Sequence, residues 1–343
     1  MKVSYEKFNI YDHLKNNAYK NNILFQAEID VTYSCNAKCF FCFQGNEHIN
    51  KNKILSYDEI CDLIDQLKNM GCFYVGFSGG EPFMRKDFIN ILRYAKKKGF
   101  IVSLVSNLQI PDNRQIAELA EIGIDRITVS CHSVNYDNYC KIFKVSMQEC
   151  KRAFNNIEFL INRKNPIGIA STISLCNYYE MSDIVKYFQE MGLDSKDINF
   201  NMLIQGKNDI LGFRENENFR NYLSEHKELK NNILSKNKCY LCSAGRISCT
   251  ISPFGDVFPC TFFNASAGNI KKNRLKDIWH NSHLLKIIRS IDETNFDKCF
   301  NCTNKNYCHI CMANNMNETS VFNTPSKEYC EFRKNLTFRL LGE

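Results

Sequence analysis

The sequence has no long hydrophobic run and no dense block of charge. No apolar stretch reaches the roughly 18 residues of a membrane-spanning helix, so a transmembrane protein is excluded. The first residues, MKVSYEKFNIYDHLKNN, lack the apolar centre of a secretory signal, and we expect a cytoplasmic protein without a membrane partner. Lys and Arg exceed Asp and Glu by 44 to 37, a net charge of +7, in runs no longer than Lys96-Lys97-Lys98. This scattered excess disfavours a nucleic-acid partner.

Cysteine is the residue that the sequence has in excess. The chain carries 18 cysteines in 343 residues, with 44% hydrophobic and 24% charged residues, as in ordinary globular proteins. The cysteine share is below that of short disulfide-rich scaffolds. In a reducing compartment, closely spaced cysteines are more often metal ligands than disulfides.

Short apolar segments alternate with helical periods through the first two thirds of the chain. The predicted strands are 26–33, 73–78, 101–106, 125–131, 167–175 and 198–204. The predicted helices lie near 57–70, 84–98, 112–122, 146–163 and 179–192. This alternation indicates βαβ units and a parallel sheet. Six units favour an α/β fold of the partial (β/α)6 TIM-like barrel type, with its chemistry at the carboxyl ends of the strands.

The composition divides the chain into five parts. The polar segment before the last third predicts a linker, and the cysteine-dense region after it predicts a small domain that depends on metal for folding. The parts are an N-terminal extension at 1–25, the partial barrel at 26–204, a partly helical linker at 205–238, a cysteine-rich iron–sulfur domain at 239–335 and a tail at 336–343.

Three cysteines follow the first predicted strand on one short loop. Cys35, Cys39 and Cys42 have spacings of three and two residues, with no fourth cysteine nearby. Three thiolates suit an iron–sulfur cluster with one open iron, whereas a structural zinc site is closed by four ligands. A zinc loop is the alternative interpretation.

Two motifs together resemble the radical S-adenosylmethionine (SAM) superfamily. The first is C-x3-C-x2-C with Phe41 before its last cysteine, and the second is Ser78-Gly79-Gly80-Glu81-Pro82 at the end of the second strand. The resemblance implies that Gly79, Gly80 and Glu81 bind the amino group of SAM. It also implies that Ser130 contacts the SAM ribose, and Asn107 lies on the same rim. The implied chemistry is reductive cleavage of SAM to a 5′-deoxyadenosyl radical, which takes a hydrogen atom from the substrate.

A second set of cysteines resembles the SPASM extension of some radical SAM enzymes. It reads Cys239-x2-Cys242, Gly255-x4-Cys260, Cys299-x2-Cys302-x5-Cys308-x2-Cys311 and a final Cys330. Cys308 and Cys311 are separated by two residues where the family has three. Full SPASM domains hold two [4Fe–4S] clusters and need eight thiolates. The resemblance implies an inner cluster on Cys239, Cys242, Cys260 and Cys311 and an outer one on Cys299, Cys302, Cys308 and Cys330. A pair of zinc ribbons is the alternative.

Seven cysteines belong to no ligand set, and two of them are candidates for a catalytic role. Cys249, and more weakly Cys131, could donate a hydrogen atom to a radical, although a buried inert thiol is the commoner role. The segment 130–160 resembles that of SPASM maturases of ribosomally made peptides, which form thioether or carbon–carbon crosslinks or invert a Cα centre.

The expected cofactors and partners follow from that resemblance. We expect three [4Fe–4S] clusters, SAM, a precursor peptide, a separate leader-peptide-binding protein and a flavodoxin- or ferredoxin-type electron donor. A leader-binding domain of the chain's own is not expected, since only about 25 residues precede the first strand.

Two other functions stay open at this point. An anaerobic sulfatase-maturing enzyme, which makes formylglycine, would carry the same thiolates, with Asp256 as a weak candidate base. A non-catalytic iron–sulfur or zinc protein is the remote alternative.

Overall fold

The computed structural model describes residues 10–42, 54–202, 216–234, 241–308 and 310–341. The described residues form a mixed α/β fold around a nine-stranded sheet in the order β6-β5-β4-β3-β2-β1-β7-β8-β9. The strands are β1 (Gln26–Thr32), β2 (Tyr74–Gly79), β3 (Ile101–Ser106), β4 (Arg126–Ser130), β5 (Ile167–Ile173), β6 (Ile198–Met202), β7 (Ser248–Ile251), β8 (Asp256–Phe258) and β9 (Gly268–Asn269). Strands β1 to β6 are parallel neighbours in chain order, as the alternating pattern predicted.

Helices connect the strands and cover the outer side of the sheet. They are α1 (Ile10–Asn21), α2 (Tyr57–Asn69), α3 (Phe88–Lys97), α4 (Asn113–Ile122), α5 (Tyr136–Phe143), α6 (Met147–Asn162), α7 (Met181–Glu190), α8 (Glu217–Glu225), α9 (Lys230–Ile233), α10 (Leu275–Asn281), α11 (His283–Ser290), α12 (Asp297–Phe300), α13 (Met312–Thr319) and α14 (Lys327–Leu341). Helix α2 begins with a capping box between Ser56 and Glu59, which fixes where its first turn starts.

The two faces of the sheet differ in polarity. A Cβ atom on Gly76 would lie 2.1 Å from Glu28 Oε2 and 3.0 Å from Ser103 Oγ, so these residues share the inner face of the barrel. The alternate residues, such as Ile29 and Phe77, are fully buried in the apolar core. Successive strand residues point to opposite faces, so the carboxyl ends of the strands open onto a polar lumen.

The predicted boundary at residue 239 does not separate two sheets. Strand β7, which lies beyond it, pairs in parallel with β1, and β8 and β9 extend the same sheet in antiparallel fashion. The N-terminal extension also joins this part, because Trp279 Nε1 donates to the Asn22 carbonyl at 2.8 Å. The cysteine-rich region is therefore built directly onto the edge of the barrel.

The predicted tail at 336–343 requires a correction. Its described residues continue helix α14, which begins at Lys327, and Phe332, Leu336 and Leu340 are all buried. Their spacing of four residues places them on one helix face, which packs against α8. Within the described residues 216–234, the linker is partly helical, as predicted. No helix among the described residues has both the length and the apolar character needed to cross a membrane.

Candidate active site and auxiliary thiol sites

The first cysteine loop lies at the carboxyl end of β1 and rests on helix α5. The backbone N–H of Lys38 donates to the Phe143 carbonyl at 2.8 Å. The Phe41 ring packs edge-on against His132, and His132 stacks on Phe143 with ring centroids 4.6 Å apart. Burial lowers the pKa of His132 to about 3, so this imidazole is neutral. Stacked rings thus form a rigid apolar base beneath the thiols.

Gly79 and Gly80 allow the end of β2 to approach this loop closely. A Cβ on Gly79 would lie 2.2 Å from the Thr32 carbonyl oxygen, and one on Gly80 would lie 2.3 Å from that of Ser34. The N–H groups of Gly80 and Glu81 donate to the same carbonyls, of Thr32 and Ser34, at 2.7 and 2.9 Å. The glycines therefore admit the chain that leads to Cys35.

Protein donors occupy both carboxylate oxygens of Glu81. Oε1 accepts from the Phe83 N–H at 3.1 Å and from Ser106 Oγ at 2.8 Å, and Oε2 accepts from the Asn107 N–H at 2.8 Å. The side chain is fully buried, and burial raises its pKa to about 7. Glu81 thus ties the end of β2 to the end of β3.

A chain of amides, which the sequence did not single out, holds the cysteine loop. Asn36 accepts from Asn107 Nδ2 at 3.0 Å, and it donates to Gln109 Oε1 at 2.6 Å and Glu149 Oε1 at 3.0 Å. Gln109 in turn donates to the Tyr139 hydroxyl at 2.9 Å. Asn107 is 5% exposed and belongs to this network, in which its side chain braces the loop.

The three loop thiols are close enough for the charge of one to shift the pKa of another. Burial raises the pKa of Cys35 to about 11 and that of Cys39 to about 12. The charges of Glu81 and Cys42 add to the effect at Cys35, and those of Cys42 and Cys35 add to it at Cys39. Hydrogen bonds from the backbone N–H groups of Asn36 and Ala37 lower the pKa of Cys35. Three convergent sulfurs with backbone donors form a donor set that fits an iron–sulfur cluster with an open iron.

Three of the predicted inner auxiliary thiols, Cys242, Cys260 and Cys311, lie near one another. Burial raises the pKa of Cys260 to about 12, with further contributions from the charges of Cys242 and Cys311. The N–H groups of Ala244 and Asn314 lie 3.5 and 3.4 Å from the sulfurs of Cys242 and Cys311. The short spacing before Cys311 therefore does not prevent it from joining this group. Cys239, the fourth predicted ligand, lies outside the described residues.

The outer auxiliary thiols surround a cavity of about 610 Å³. Burial raises the pKa of Cys299 to about 11, and the charges of the three other thiols add to the effect. The cavity lining includes the predicted outer set, Cys299, Cys302, Cys308 and Cys330, and also Cys311 of the predicted inner set. Residues far apart in sequence thus meet around one space large enough for a cluster.

Among the described residues, no group of three or more Cys, His, Asp or Glu side chains could hold a single metal ion.

The remaining predicted residues occupy different places. Ser130 ends β4, is half-buried, and shares the inner face with Arg126 because successive strand residues alternate. Cys131 faces the outer side, where its sulfur donates to the Ser133 carbonyl at 3.4 Å. Cys249 is opposite Ala27 in the pairing of β7 with β1, buried within the apolar core. Cys249 therefore points away from the lumen, and we assign it no step.

Acidic side chains line part of the lumen of the barrel. Glu28 and Asp30 lie on the inner face of β1, and burial together with Asp30 raises the pKa of Glu28 to about 8. Nearer the mouth of the barrel, burial and the charges of Asp30 and Asp256 raise the pKa of Tyr33. The Asp256 carboxylate accepts a hydrogen bond from Asn269 Nδ2 at 2.8 Å. The guanidinium of Arg126 forms an ion pair with Asp197, with 2.6 Å between Nη1 and Oδ1.

Comparisons with known proteins agree with this arrangement. Residues 29–191 match the radical SAM superfamily, and residues 242–303 match an iron–sulfur cluster-binding domain, SPASM. The AdoMet-dependent heme synthase of Methanosarcina barkeri is 25% identical over 336 residues, covering 89% of this chain and 95% of that protein. A probable GTP 3′,8-cyclase of Saccharolobus islandicus is 29% identical over 245 residues, covering 69% of this chain and 77% of that protein.

Two solved structures share the fold. Streptococcus suis SuiB bound to S-adenosylmethionine superposes with a TM-score of 0.67 and 19% identity, covering 95% of this chain and 84% of SuiB. Native anSMEcpe with bound AdoMet gives a TM-score of 0.70 and 16% identity, covering 93% of this chain and 97% of that one. The cysteine loop, the glycine-rich strand end and the two family matches lead to one conclusion: the chain is a radical SAM enzyme with a C-terminal SPASM domain.

Proposed function

We propose that this enzyme modifies a ribosomally made peptide, forming a thioether or carbon–carbon crosslink or inverting a Cα centre. The proposal rests on a radical SAM barrel whose lumen is polar and acidic, joined to two groups of auxiliary thiols.

The acidic lumen is the observation that carries the choice of substrate. Glu28 and Asp30 line it, and its cation Arg126 is neutralised by Asp197. A nucleoside triphosphate is strongly anionic, and a heme-type macrocycle is apolar with carboxylate arms. Both match this lumen less well than a peptide does, because Asp30 lies there beside Glu28, whose pKa of about 8 leaves it largely protonated and able to donate a hydrogen bond near pH 7. A polar or cationic peptide side chain has the complementary chemistry.

Solved structures of the same fold support a peptide substrate. SuiB has been crystallised with its precursor peptide SuiA, and that structure superposes with a TM-score of 0.69. The anSMEcpe structure with the Cp18Cys peptide superposes with a TM-score of 0.67. A barrel mouth of this architecture can therefore admit an extended chain.

The proposed cofactors are SAM and three [4Fe–4S] clusters. Cys35, Cys39 and Cys42 would hold the SAM-binding cluster. The inner auxiliary cluster would take Cys239, Cys242, Cys260 and Cys311, and the outer one Cys299, Cys302, Cys308 and Cys330. When bound, the first cluster and SAM supply the radical that removes a hydrogen atom from the substrate.

The protein's own contribution is positioning and exclusion of water. Asn36 and Asn107 hold the cysteine loop in register with the end of β3. Gly79, Gly80 and Glu81 bring the end of β2 beside the same loop, where the amino group of SAM would bind. Ser130 faces the lumen at the end of β4, in position to contact the SAM ribose. The partners that we propose are the precursor peptide, a separate leader-binding protein and a flavodoxin- or ferredoxin-type electron donor.

The test uses the full chain, reconstituted anaerobically with iron and sulfide. Iron content is measured first, and we expect about twelve irons per chain for three four-iron clusters. Release of 5′-deoxyadenosine is then followed with SAM and dithionite, alone and with pools of synthetic peptides rich in lysine, in aspartate, or in cysteine and serine. Parallel reactions contain GTP or an iron porphyrin.

The proposal predicts that a peptide pool raises 5′-deoxyadenosine release above the background and that its peptides change in mass or stereochemistry. The Cys35, Cys39 and Cys42 to Ala triple variant is the matched control, since it should retain about eight irons but release nothing. Stimulation by GTP or porphyrin alone would refute the peptide proposal. An aldehyde on a cysteine or serine peptide would instead establish the sulfatase-maturing alternative, for which Asp256 is the candidate base.

A further inference from the structure

Arg333 places a guanidinium group beside the outer auxiliary thiols. It lies three residues after Cys330 on helix α14, so both side chains emerge on the same face. Its Nη2 donates to the carbonyl of Tyr307, the residue before Cys308, and the guanidinium also donates to the Cys308 sulfur. Arg333 lines the cavity enclosed by the outer cysteines.

One nitrogen of this guanidinium has no partner among the described residues. Arg333 Nε is buried and makes no hydrogen bond. A buried donor without an acceptor costs about 1–3 kcal/mol, and such groups are rare in folded proteins. The cluster sulfides that the outer cysteines would hold are the acceptors that this cavity would supply.

The inner auxiliary thiols have a different environment. Burial and the charges of neighbouring thiols raise the pKa of Cys260, and backbone N–H groups lower it. Burial and the Glu318 carboxylate raise the pKa of Cys311, and backbone N–H groups lower it. The Glu318 carboxylate also raises the pKa of Cys330 in the outer set, so it does not distinguish the two sets. Cys308, in contrast, receives a hydrogen bond and a full positive charge from Arg333.

We propose that Arg333 is a positioning residue that raises the reduction potential of the outer auxiliary cluster above that of the inner one. A fixed positive charge stabilises the more negative, reduced form of a cluster, and hydrogen bonds to its sulfurs act in the same direction. The outer cluster is then the favoured electron acceptor of the pair. The inference rests on the eight auxiliary ligands of the proposed function and is independent of the substrate.

The test is a redox titration monitored by electron paramagnetic resonance. The Cys35, Cys39 and Cys42 to Ala triple variant serves as the background, so that the auxiliary clusters alone contribute. We expect Arg333→Gln to keep about eight irons and to lower one of the two midpoint potentials, leaving the other unchanged. The expected size is at least tenfold in the ratio of reduced to oxidised cluster, or about 59 mV for a one-electron couple. Arg333→Lys, which keeps the charge and loses the fork, should lie between Arg333→Gln and the parent.

Lys327→Gln is the matched control, because it removes a charge from the same cavity lining. The Lys327 side chain is 83% exposed, so water and salt screen its charge and its midpoints should stay at the parent values. Unchanged midpoints in Arg333→Gln at full iron content, or an equal shift in Lys327→Gln, would overturn the proposal. Should Arg333→Gln lose iron, Arg333→Lys decides: a lowered midpoint supports the proposal, and a parental midpoint or lost iron overturns it. A background protein without about eight irons would instead refute the ligand assignment.

Discussion

Replacing Gly80 by alanine should selectively remove the SAM-binding cluster. The added Cβ would lie 2.3 Å from the Ser34 carbonyl oxygen and 2.6 Å from that of Tyr33, in the chain that leads directly to Cys35. Both neighbours are backbone atoms, so no side-chain rotation can relieve the contact. Strand end and loop must separate instead, which breaks the hydrogen bonds from Gly80 N to Thr32 O and from Glu81 N to Ser34 O.

The expected size follows from these contacts. Overpacking costs about 1–3 kcal/mol, and each lost backbone hydrogen bond costs about 1 kcal/mol more. We therefore expect Gly80→Ala to lower the free energy of unfolding by about 3–5 kcal/mol. Because the displaced loop carries Cys35, Cys39 and Cys42, iron content should fall by about four per chain while the auxiliary irons remain.

The measurements are denaturant unfolding, iron analysis and SAM binding by equilibrium dialysis, all under anaerobic conditions. Gly123→Ala is the matched control, since this C-cap glycine has a φ of +75° and nothing within 4 Å of an added Cβ. It should cost about 1–2 kcal/mol from the left-handed backbone alone and keep all iron. The reasoning would be refuted if Gly80→Ala kept its full iron and SAM binding with no greater loss of stability than Gly123→Ala.

Three further changes test the loop, the lumen and the outer face. Asn36→Leu removes the hydrogen bonds from the cysteine loop to Gln109, Glu149 and Asn107 and should reduce the iron content by about four per chain. The control Asn264→Leu, on the exposed surface, should keep its iron. Equal iron content in both variants would contradict the bracing role of Asn36. Glu28→Gln should abolish a pH dependence of the free energy of unfolding. The pKa of Glu28 is about 8 in the folded protein and lower in the unfolded chain, so the wild type should lose roughly 1.4 kcal/mol of stability per pH unit between about pH 4.5 and 8. Denaturant unfolding at several pH values measures this slope. The same slope in the variant would assign it to another group. Cys249→Ala should leave iron content and 5′-deoxyadenosine release intact, because this thiol lies in the apolar core on the outer side of the sheet; a loss of release would restore it as a hydrogen-atom donor.

Local patterns determined most of the barrel. The six predicted strands match β1 to β6, because buried parallel strands are short apolar runs bounded by turn signals. Capping residues such as Ser56 with Glu59 marked a helix start from neighbouring residues alone. The motifs of the cysteine loop and the glycine-rich strand end likewise depend on chemistry within a few residues.

Contacts between distant segments were decided only by the tertiary structure. Strand β7 joins β1 across more than two hundred residues of chain, a pairing that no local period encodes. Asn36 and Gln109 became part of the site because two strand ends meet, and lone amides in a sequence carry no such signal. Arg333 reaches Cys308 through the packing of α14 on the cysteine-rich domain. The residue types and their spacing are enough to indicate which side chains can ligate iron. Strand pairing in the folded protein sets the face on which each strand residue lies, and it places Cys249 in the core and Glu28 in the lumen.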